Sequence, residues 1–262
     1  GGGLDMIKAR PHVGDVVPGD VEERVTRLLT LIGSIVDYRA SRYSKVRAAD
    51  LTFYRKISGK KDEPRLLLLV DGIGAFSEEY QSTTAKARLW TRFQQILLDG
   101  RAVGVHVAVT ADRTQAIPTS LASNFQRKIV LRMTDEESYL NLGLPKDVLT
   151  PTSPPGRAMQ VGNPNVLQLA VLGSNVNPLA QARMMEEIAS IGVLRNRVRP
   201  TPIGSLPTLV TADSIPASLN GYPVIGMEAE ALAPLSFRAV GTLAIGGGPQ
   251  TGRSNAMAWL VH

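Results

Sequence analysis

Cysteine is absent from the 262 residues. That excludes disulfide frameworks and thiolate metal sites and makes an intracellular address the expectation. The three histidines, His12, His106 and His262, have no HxxxH-type spacing, so no zinc constellation is expected. Aromatic residues make up only 5%, with 2 Trp and 5 Phe, and no basic stretch is interleaved with aromatics, which argues against a stacking platform for single strands. No apolar run reaches the roughly 18 to 20 residues that cross a bilayer. The opening GGGLDMIKAR also lacks the apolar core of a signal peptide, so any membrane tie is expected from regions outside this chain.

Hydrophobic residues account for 44% and charged residues for 20%, the balance of a packed globular protein rather than a disordered, collagen-like or coiled-coil chain. The length suits two units or one large α/β unit. A net charge of +6 and a pI near 9.7 favour contact with a polyanion, whether nucleotide, nucleic acid or acidic lipid surface, and serve solubility equally well.

The apolar spacing Val21, Val25, Leu28, Leu29, Ile32, Val36 predicts a helix over 21–36, with Asp20 and Glu23 as its capping box. A second helix is expected over 48–57, halted by Ser58 and Gly59. The run 66–70, ending in Asp71, reads as a central strand buried on both faces of a parallel sheet. Leu89, Phe93, Ile96 and Leu97 predict a helix over 84–99 with Gly100 as its stop. Further expectations are a strand over 103–110, a short helix near Ser120, a strand over 128–133 and a helix capped by Thr134. A hairpin of 158–161 with 166–172 and a helix opened by Asn177 and Pro178, carrying Leu179, Met184 and Ile188, follow. Alternating strands and helices imply crossovers and a mainly parallel sheet. Residues 194–207 are basic, rich in Pro and Gly and without periodicity, and read as a linker. Short strands are expected at 209–210, 224–225 and 237–245.

The segment Gly247, Gly248, Pro249, Gln250, Thr251, Gly252, Arg253, Ser254 has the spacing GxxxxG[KR][ST] between an apolar stretch, 243–245, and helix-forming residues 256–260. In a Walker A loop, glycines let backbone N–H groups turn inward around phosphates and the helix N-terminus adds its positive end. An ordinary glycine-rich turn is the alternative. Arg253 stands where a lysine is usual, and its planar fork cannot occupy the same point as a compact ammonium. Ser254 suits a Mg²⁺ shell. Asp71 is the Walker B-like partner; the plainer reading is a buried strand ending in a polar residue. Gly72 follows it where a catalytic glutamate often stands, so no catalytic base is assigned and ATPase turnover stays open. The aspartate strand precedes the phosphate loop, the reverse of the order within one P-loop domain, so the chain is either circularly permuted or spans consecutive units.

These residues resemble the FtsK/SpoIIIE family of motor ATPases, and among them the tandem ATPase modules of EccC, the type VII secretion motor. Residues 1–4, 10–14 and 20–25 look like the segment after a module's second strand. Residues 67–76 look like a degenerate Walker B region, 104–113 like the strand and sensor stretch, and 155–157 like the turn into a closing hairpin. The resemblance implies an α/β, RecA-like P-loop NTPase module, three-layered with a mainly parallel sheet, incomplete and followed by the start of a second. Residues 1–196 would be the later part of a degenerate module, 197–207 a linker and 208–262 the opening of the next module. It implies ATP and Mg as ligands, with Asp71 and Ser254 on the metal, Thr110 and Arg113 as sensors, and Arg127 and Arg132 as arginine fingers, unless these two are simply solvated. Neighbouring ATPase modules or subunits and small helical secretion substrates are the implied partners. The expected place is the cytoplasm, at the inner face of the membrane through other parts of the protein. Two rivals stay open: a double-stranded DNA translocase of the FtsK type, favoured by the pI and by Arg195, Arg197 and Arg199, and a scaffold that binds no nucleotide.

Overall fold

A computed structural model describes residues 2–8, 10–163, 165–191, 200–229, 231–238 and 240–260. Gly1, Pro164, Arg195, Arg197, Arg199, His262 and the first part of the expected linker lie outside the described residues.

A 3₁₀ turn, Gly2–Ile7, leads through an irregular stretch to α1, Glu22–Lys45. This helix runs nine residues beyond the expected end at Val36, because its inward stripe continues through Arg39 and Tyr43, both buried. The buried guanidinium of Arg39 is held by Glu63 at 3.1 Å and by the carbonyl of Val103 at 3.0 Å, so a charged residue does the packing that an apolar count looks for. The expected capping box is absent. Val21 is the N-cap with no side-chain hydrogen bond, and the Glu23 carboxylate is occupied by Leu206 N–H and Arg27 instead. Halfway along, Gly33 gives passage to Arg92, whose guanidinium lies where a Cβ would stand and which reaches Asp37 at 2.7 Å.

Helix α2, Leu51–Ser58, starts at 51 rather than 48 because Asp50 accepts a hydrogen bond from Phe53 N–H at 2.8 Å and so caps it. It ends on Gly59 in the left-handed region. Strand β1, Leu66–Val70, pairs in parallel with β2, Val105–Val109, in the register Leu66 to Val105 through Val70 to Val109. Burial of β1 is one-sided, contrary to expectation: Leu68 is 6% exposed and Leu67 62%. The helices cover one face only.

Between the strands lie α3, Ile73–Gln81, which sequence periodicity did not predict, and α4, Thr84–Asp99, which matches its predicted bounds. Gly100 is in the right-handed region, so it is not a left-handed stop. A Cβ there would lie 2.5 Å from the Ile96 carbonyl and 2.8 Å from the Val105 carbonyl, so crowding between the end of α4 and the start of β2 is what requires glycine. The core of this part joins Val25, Leu29 and Val36 of α1 to Ile73, Tyr80, Trp90, Phe93 and Ile96. Glu63 also pairs with Arg42 at 3.1 Å, so Glu63→Ala strips two guanidiniums of their carboxylate. Breaking a buried pair from one side costs about 3 to 5 kcal/mol. Urea unfolding should therefore show a midpoint shift of that size, and a change below about 1 kcal/mol would contradict the role given to Arg39.

A second 3₁₀ turn, Thr114–Ala116, and α5, Thr119–Ala122, lead to an antiparallel sheet of β3, Ile129–Leu131, β4, Arg157–Gln160, and β5, Val166–Gln168. It carries a small core of Val130, Tyr139, Leu144, Leu149 and Met159. Parallel pairing is confined, among the described residues, to β1 and β2. Helix α6, Glu137–Asn141, is preceded by Asp135, which accepts from Ser138 N–H at 2.8 Å and takes the capping role expected of Thr134. Helix α7, Pro178–Ser190, has the expected Asn177 cap, yet buries none of its residues.

Residues 200–207 have no regular secondary structure. Beyond them come β6, Ser218–Leu219, β7, Tyr222–Met227, β8, Pro234–Ser236, in one antiparallel sheet, and α8, Arg253–Trp259. Among the described residues of the expected strands at 209–210 and 237–245 no strand is formed. An extended segment becomes a strand only when a neighbour takes up a run of its N–H and C=O groups, and here β7 takes up only the Phe237 N–H, at the Pro223 carbonyl, 2.8 Å.

Candidate functional site

Asp71 stands at the carboxyl end of β1, where open α/β sheets bind their ligands. Its Oδ1 accepts a hydrogen bond from Thr110 Oγ1 at 2.7 Å, and Thr110 Oγ1 in turn accepts from Gly72 N–H at 2.9 Å. Ile73 N–H donates to the Thr110 carbonyl at 2.9 Å, so the two strand ends are laced together. The 3₁₀ turn lies over the other oxygen, since a Cβ on Gly3 would come within 3.6 Å of Oδ2. Gly72, at φ 83°, is in a left-handed conformation that a glutamate would adopt only with strain. The backbone at this position thus disfavours a glutamate.

The second group, Gly247 to Ser254, forms an exposed loop entering α8. Gln250 and Gly252 have positive φ, and Thr251 Oγ1 donates to the Gly248 carbonyl at 2.8 Å, folding the loop back on itself. A Cβ on Gly247 would run into the Thr251 hydroxyl. Among the described residues no backbone hydrogen bond takes up the N–H groups of Gly247, Gly248 or Gly252. Free N–H groups around a glycine-lined turn fit an anion such as a phosphate chain. Arg253 and Ser254 are both exposed at the start of α8.

Beneath this loop is an open cleft of about 720 Å³, lined by Val210, Ile225, Leu243, Ile245, Gly252 and Trp259 among others. Trp259 Nε1 donates to the Val224 carbonyl at 2.9 Å. All lining residues fall between 210 and 260; Asp71 is not one of them. Among the described residues no three of His, Cys, Asp and Glu gather into a protein-only metal cage. A Mg²⁺ held by one carboxylate or hydroxyl together with phosphates and water needs none.

Of the remaining candidates, Thr110 is joined to Asp71. Arg113 is on the surface, paired with Glu78 at 2.8 Å. Arg132 donates to the carbonyl of Pro151 at 2.6 Å and closes the turn before β4. Arg127 is exposed.

A polar cluster that no motif announces ties residues 203–229 to α1. Arg24 donates to Asp15 at 2.6 Å and to the Ile203 carbonyl at 3.1 Å, while Asp15 accepts from Ile203 N–H at 3.2 Å. Buried Arg27 donates to the carbonyls of Gly204 and Ala229 and to Glu23, and Glu23 accepts from Leu206 N–H at 2.9 Å. Burial alone would raise the Asp15 carboxyl, but the hydrogen bonds from Arg24 and Val16 N–H and the nearby positive charges hold it below its ordinary value. The Leu206 N–H, then Arg27, lower Glu23 likewise. Folded values below the unfolded ones mean that this stabilisation is complete above the ordinary carboxylate range of about 4 and fades as pH falls through it. Below about pH 4, the Ile203 and Leu206 amides should lose hydrogen-exchange protection before the Phe93 amide does. Simultaneous loss would mean that the carboxylates do not hold the segment.

No protein-family model matches the chain. It is 26% identical over 247 residues to the ESX secretion system protein YukB of Bacillus subtilis, covering 90% of this chain and 16% of YukB. It is 26% identical over 168 residues to the ESX-1 secretion system protein EccCb1 of Mycolicibacterium smegmatis, covering 62% of this chain and 27% of that protein. The chain thus matches 16% to 27% of the length of these curated relatives. Among solved structures, EssC (ATPases 2 and 3) from Geobacillus thermodenitrificans superposes with a TM-score of 0.76 at 18% identity, over 100% of this chain and 50% of that one. Thermomonospora curvata EccC (ATPases 2 and 3) in complex with a signal sequence peptide gives 0.68 at 20% identity, over 90% and 43%. The chain is thus similar in sequence to the ESX secretion system proteins YukB and EccCb1, and its fold is the RecA-like P-loop fold of the EssC and EccC ATPase domains.

Proposed function

We propose that the chain is an ATP-binding segment of an EccC-type motor of the FtsK/SpoIIIE family, serving type VII protein secretion. Residues 1–196 are the later part of one degenerate ATPase module, 197–207 the linker and 208–262 the opening of the next. The observation that carries this reading is the separation of the two half-sites: Asp71 has Thr110 and Gly3 as neighbours, whereas the 247–254 loop meets, through Gly252, a cleft whose lining residues all fall between 210 and 260. The bare face of the parallel pair supports it too, because parallel strands are ordinarily covered on both sides.

ATP and Mg fit both half-sites by their donors. Gly247 to Ser254 would hold phosphates through backbone N–H groups and Arg253, with Ser254 on the metal there, and Asp71 would complete a metal shell in the other module, where Mg would neutralise phosphate charge. Thr110, which fixes the Asp71 carboxylate, and Arg113 would act as sensors, and Arg127 and Arg132 would be the arginine fingers toward a neighbouring module or subunit. Hydrolysis is weak. A missing general base lowers rates by roughly 10² to 10⁴, and Gly72 leaves no side chain to supply one. The modules then bind nucleotide chiefly to regulate an active neighbour. Small helical secretion substrates, docking by an apolar helix face, are the cargo. The segment works in the cytoplasm, held at the inner membrane face by other parts of the protein; among its described residues no helix is long and apolar enough to cross a membrane.

Titrating a fluorescent ATP analogue with Mg²⁺ into the full-length protein tests this reading: saturable binding is expected, and its absence would leave a scaffold. DNA affinity that falls steeply with salt would instead favour a DNA translocase.

A further inference from the structure

The charge of the chain is not spread over its surface. Residues 38–65 hold nine Lys and Arg against three Asp and Glu, an excess of six, which equals the net charge of the whole protein, +6. The remaining residues are balanced. Within this stretch Arg39 and Arg42 are committed to Glu63, and Arg55 donates to the Glu63 carbonyl. Lys45, Arg47, Lys56, Lys60, Lys61 and Arg65 are exposed, and among the described residues none of the six is in an ion pair. Asp50 is spent on capping α2.

The patch has a defined place. Leu51 N–H donates to the Ala102 carbonyl and Leu66 N–H to the Gly104 carbonyl, both at 2.9 Å, which sets α2 and the 59–65 loop at the amino end of the parallel strands. Asp71 and Thr110 mark the carboxyl end, five residues or about 16 Å along the strands. The patch is therefore not part of the candidate nucleotide site.

Its second property is apolar. Phe53 and Ile57, one helical turn apart on the outer side of α2, are 45% and 43% exposed, and Val46 is 44% exposed. These side chains stand among the lysines rather than facing the core. A polyanion without apolar substance would leave them in water. Nucleic acid would use aromatics for stacking; Tyr43 and Tyr54 are stacked on each other with centroids 4.1 Å apart and buried, Arg42 lies over the exposed Tyr38 ring, and the exposed Phe53 ring stands beside aliphatic Ile57 and Val46, whose methyl groups suit acyl chains rather than bases. No residue of 38–65 lines the cleft around Trp259 or the cavity beneath Gly33 and Arg92. Unpaired lysines around protruding apolar side chains match an anionic lipid surface, which takes the charges at its headgroups and the apolar tips at its acyl boundary.

We propose that the α2 pole, residues 45–65, docks on anionic lipid bilayers through Lys45, Arg47, Lys56, Lys60, Lys61 and Arg65, with Phe53 and Ile57 inserting at the interface. Each basic contact is worth about fivefold in partitioning, and salt weakens it.

The test is flotation of the 262-residue chain with vesicles of 30% phosphatidylglycerol in phosphatidylcholine, against pure phosphatidylcholine, at low and high salt. Binding is expected to the anionic vesicles only and to fall at least tenfold at high salt. The variant Lys56→Glu/Lys60→Glu/Lys61→Glu should lose about a hundredfold. Phe53→Ser/Ile57→Ser should lose several-fold with all charges kept. Arg88→Glu/Lys128→Glu/Arg183→Glu, an equal charge change away from the patch, should lose less than threefold. Circular dichroism establishes that each variant is folded. Equal losses in the two charge variants, or equal binding to both vesicle types, would overturn the proposal. So would tighter binding to a short DNA duplex that Phe53→Ser/Ile57→Ser leaves unchanged.

Discussion

Replacing Arg253 by alanine is expected to weaken one nucleotide site of the full-length protein by about 10- to 100-fold and leave the other unaffected, while Asp71→Ala does the reverse. A charge-assisted hydrogen bond contributes about 1.5 to 3 kcal/mol, which is a factor of that order. Arg253, exposed, opens α8 beside the loop of free N–H groups, next to Gly252 at the edge of a cleft lined by residues between 210 and 260. Asp71 is held by Thr110 at the end of a different sheet. A two-site isotherm with a fluorescent ATP analogue and Mg²⁺ reads the two losses separately. Thr110→Val frees the Asp71 carboxylate without removing it and should have a smaller effect at the same site. Arg253→Lys restores a compact charge and should tighten its site rather than weaken it. Both alanine variants abolishing the same binding event would mean one shared pocket, and with it the end of the tandem-module reading.

Much of this arrangement was legible in the residues. Four consecutive leucines before Val70 and Asp71 marked β1, and its parallel partner followed from the helix predicted over 84–99 and the apolar run after it. Asn177 with Pro178 is a local device, readable because a cap needs only its own turn, whereas a helix expected from 48 passed over the equally local cap of Asp50 on Phe53. What failed to show was long-range. Arg39 belongs to the core only because Glu63 lies opposite, and Glu23 left its capping box for an amide 183 residues away. Helix α3 was hidden by Gly72, Gly74 and the polar residues Ser77, Glu78, Glu79 and Gln81; its buried face is Ile73, Gly74, Ser77 and Tyr80, too mixed for an apolar stripe. In the candidate site, the loop pattern and the aspartate strand were visible, but not that Gly3 would lie over Asp71 or that 243–245 would find no strand partner.

The largest loss of stability is expected from Phe93→Ala. Phe93 is 0% exposed and lies where α4 meets both α1 and α3. Its ring stands edge-on to Phe76 at 5.3 Å and tilted to Trp90 at 5.5 Å, and Phe76 continues to Tyr80 at 4.7 Å, so four aromatic rings form one interlocked group. Truncation removes the ring's transfer free energy and leaves a cavity, because rigid neighbours held by the Tyr80 hydroxyl on Gly19 and by the helix ladders relax only in part. Phe→Ala in such a setting costs about 3 to 5 kcal/mol, a large share of the 5 to 15 kcal/mol that a domain has. Leu98→Ala serves as the control five residues on. Leu98 is 63% exposed, and its truncation should stay within about 0.5 kcal/mol. Urea midpoints at unchanged slope compare the two variants directly. Comparable shifts would mean that α4 turns a different face inward, and since this helix packs on β2, which is paired with β1 and leads to Thr110, the geometry of the candidate site would have to be redrawn with it.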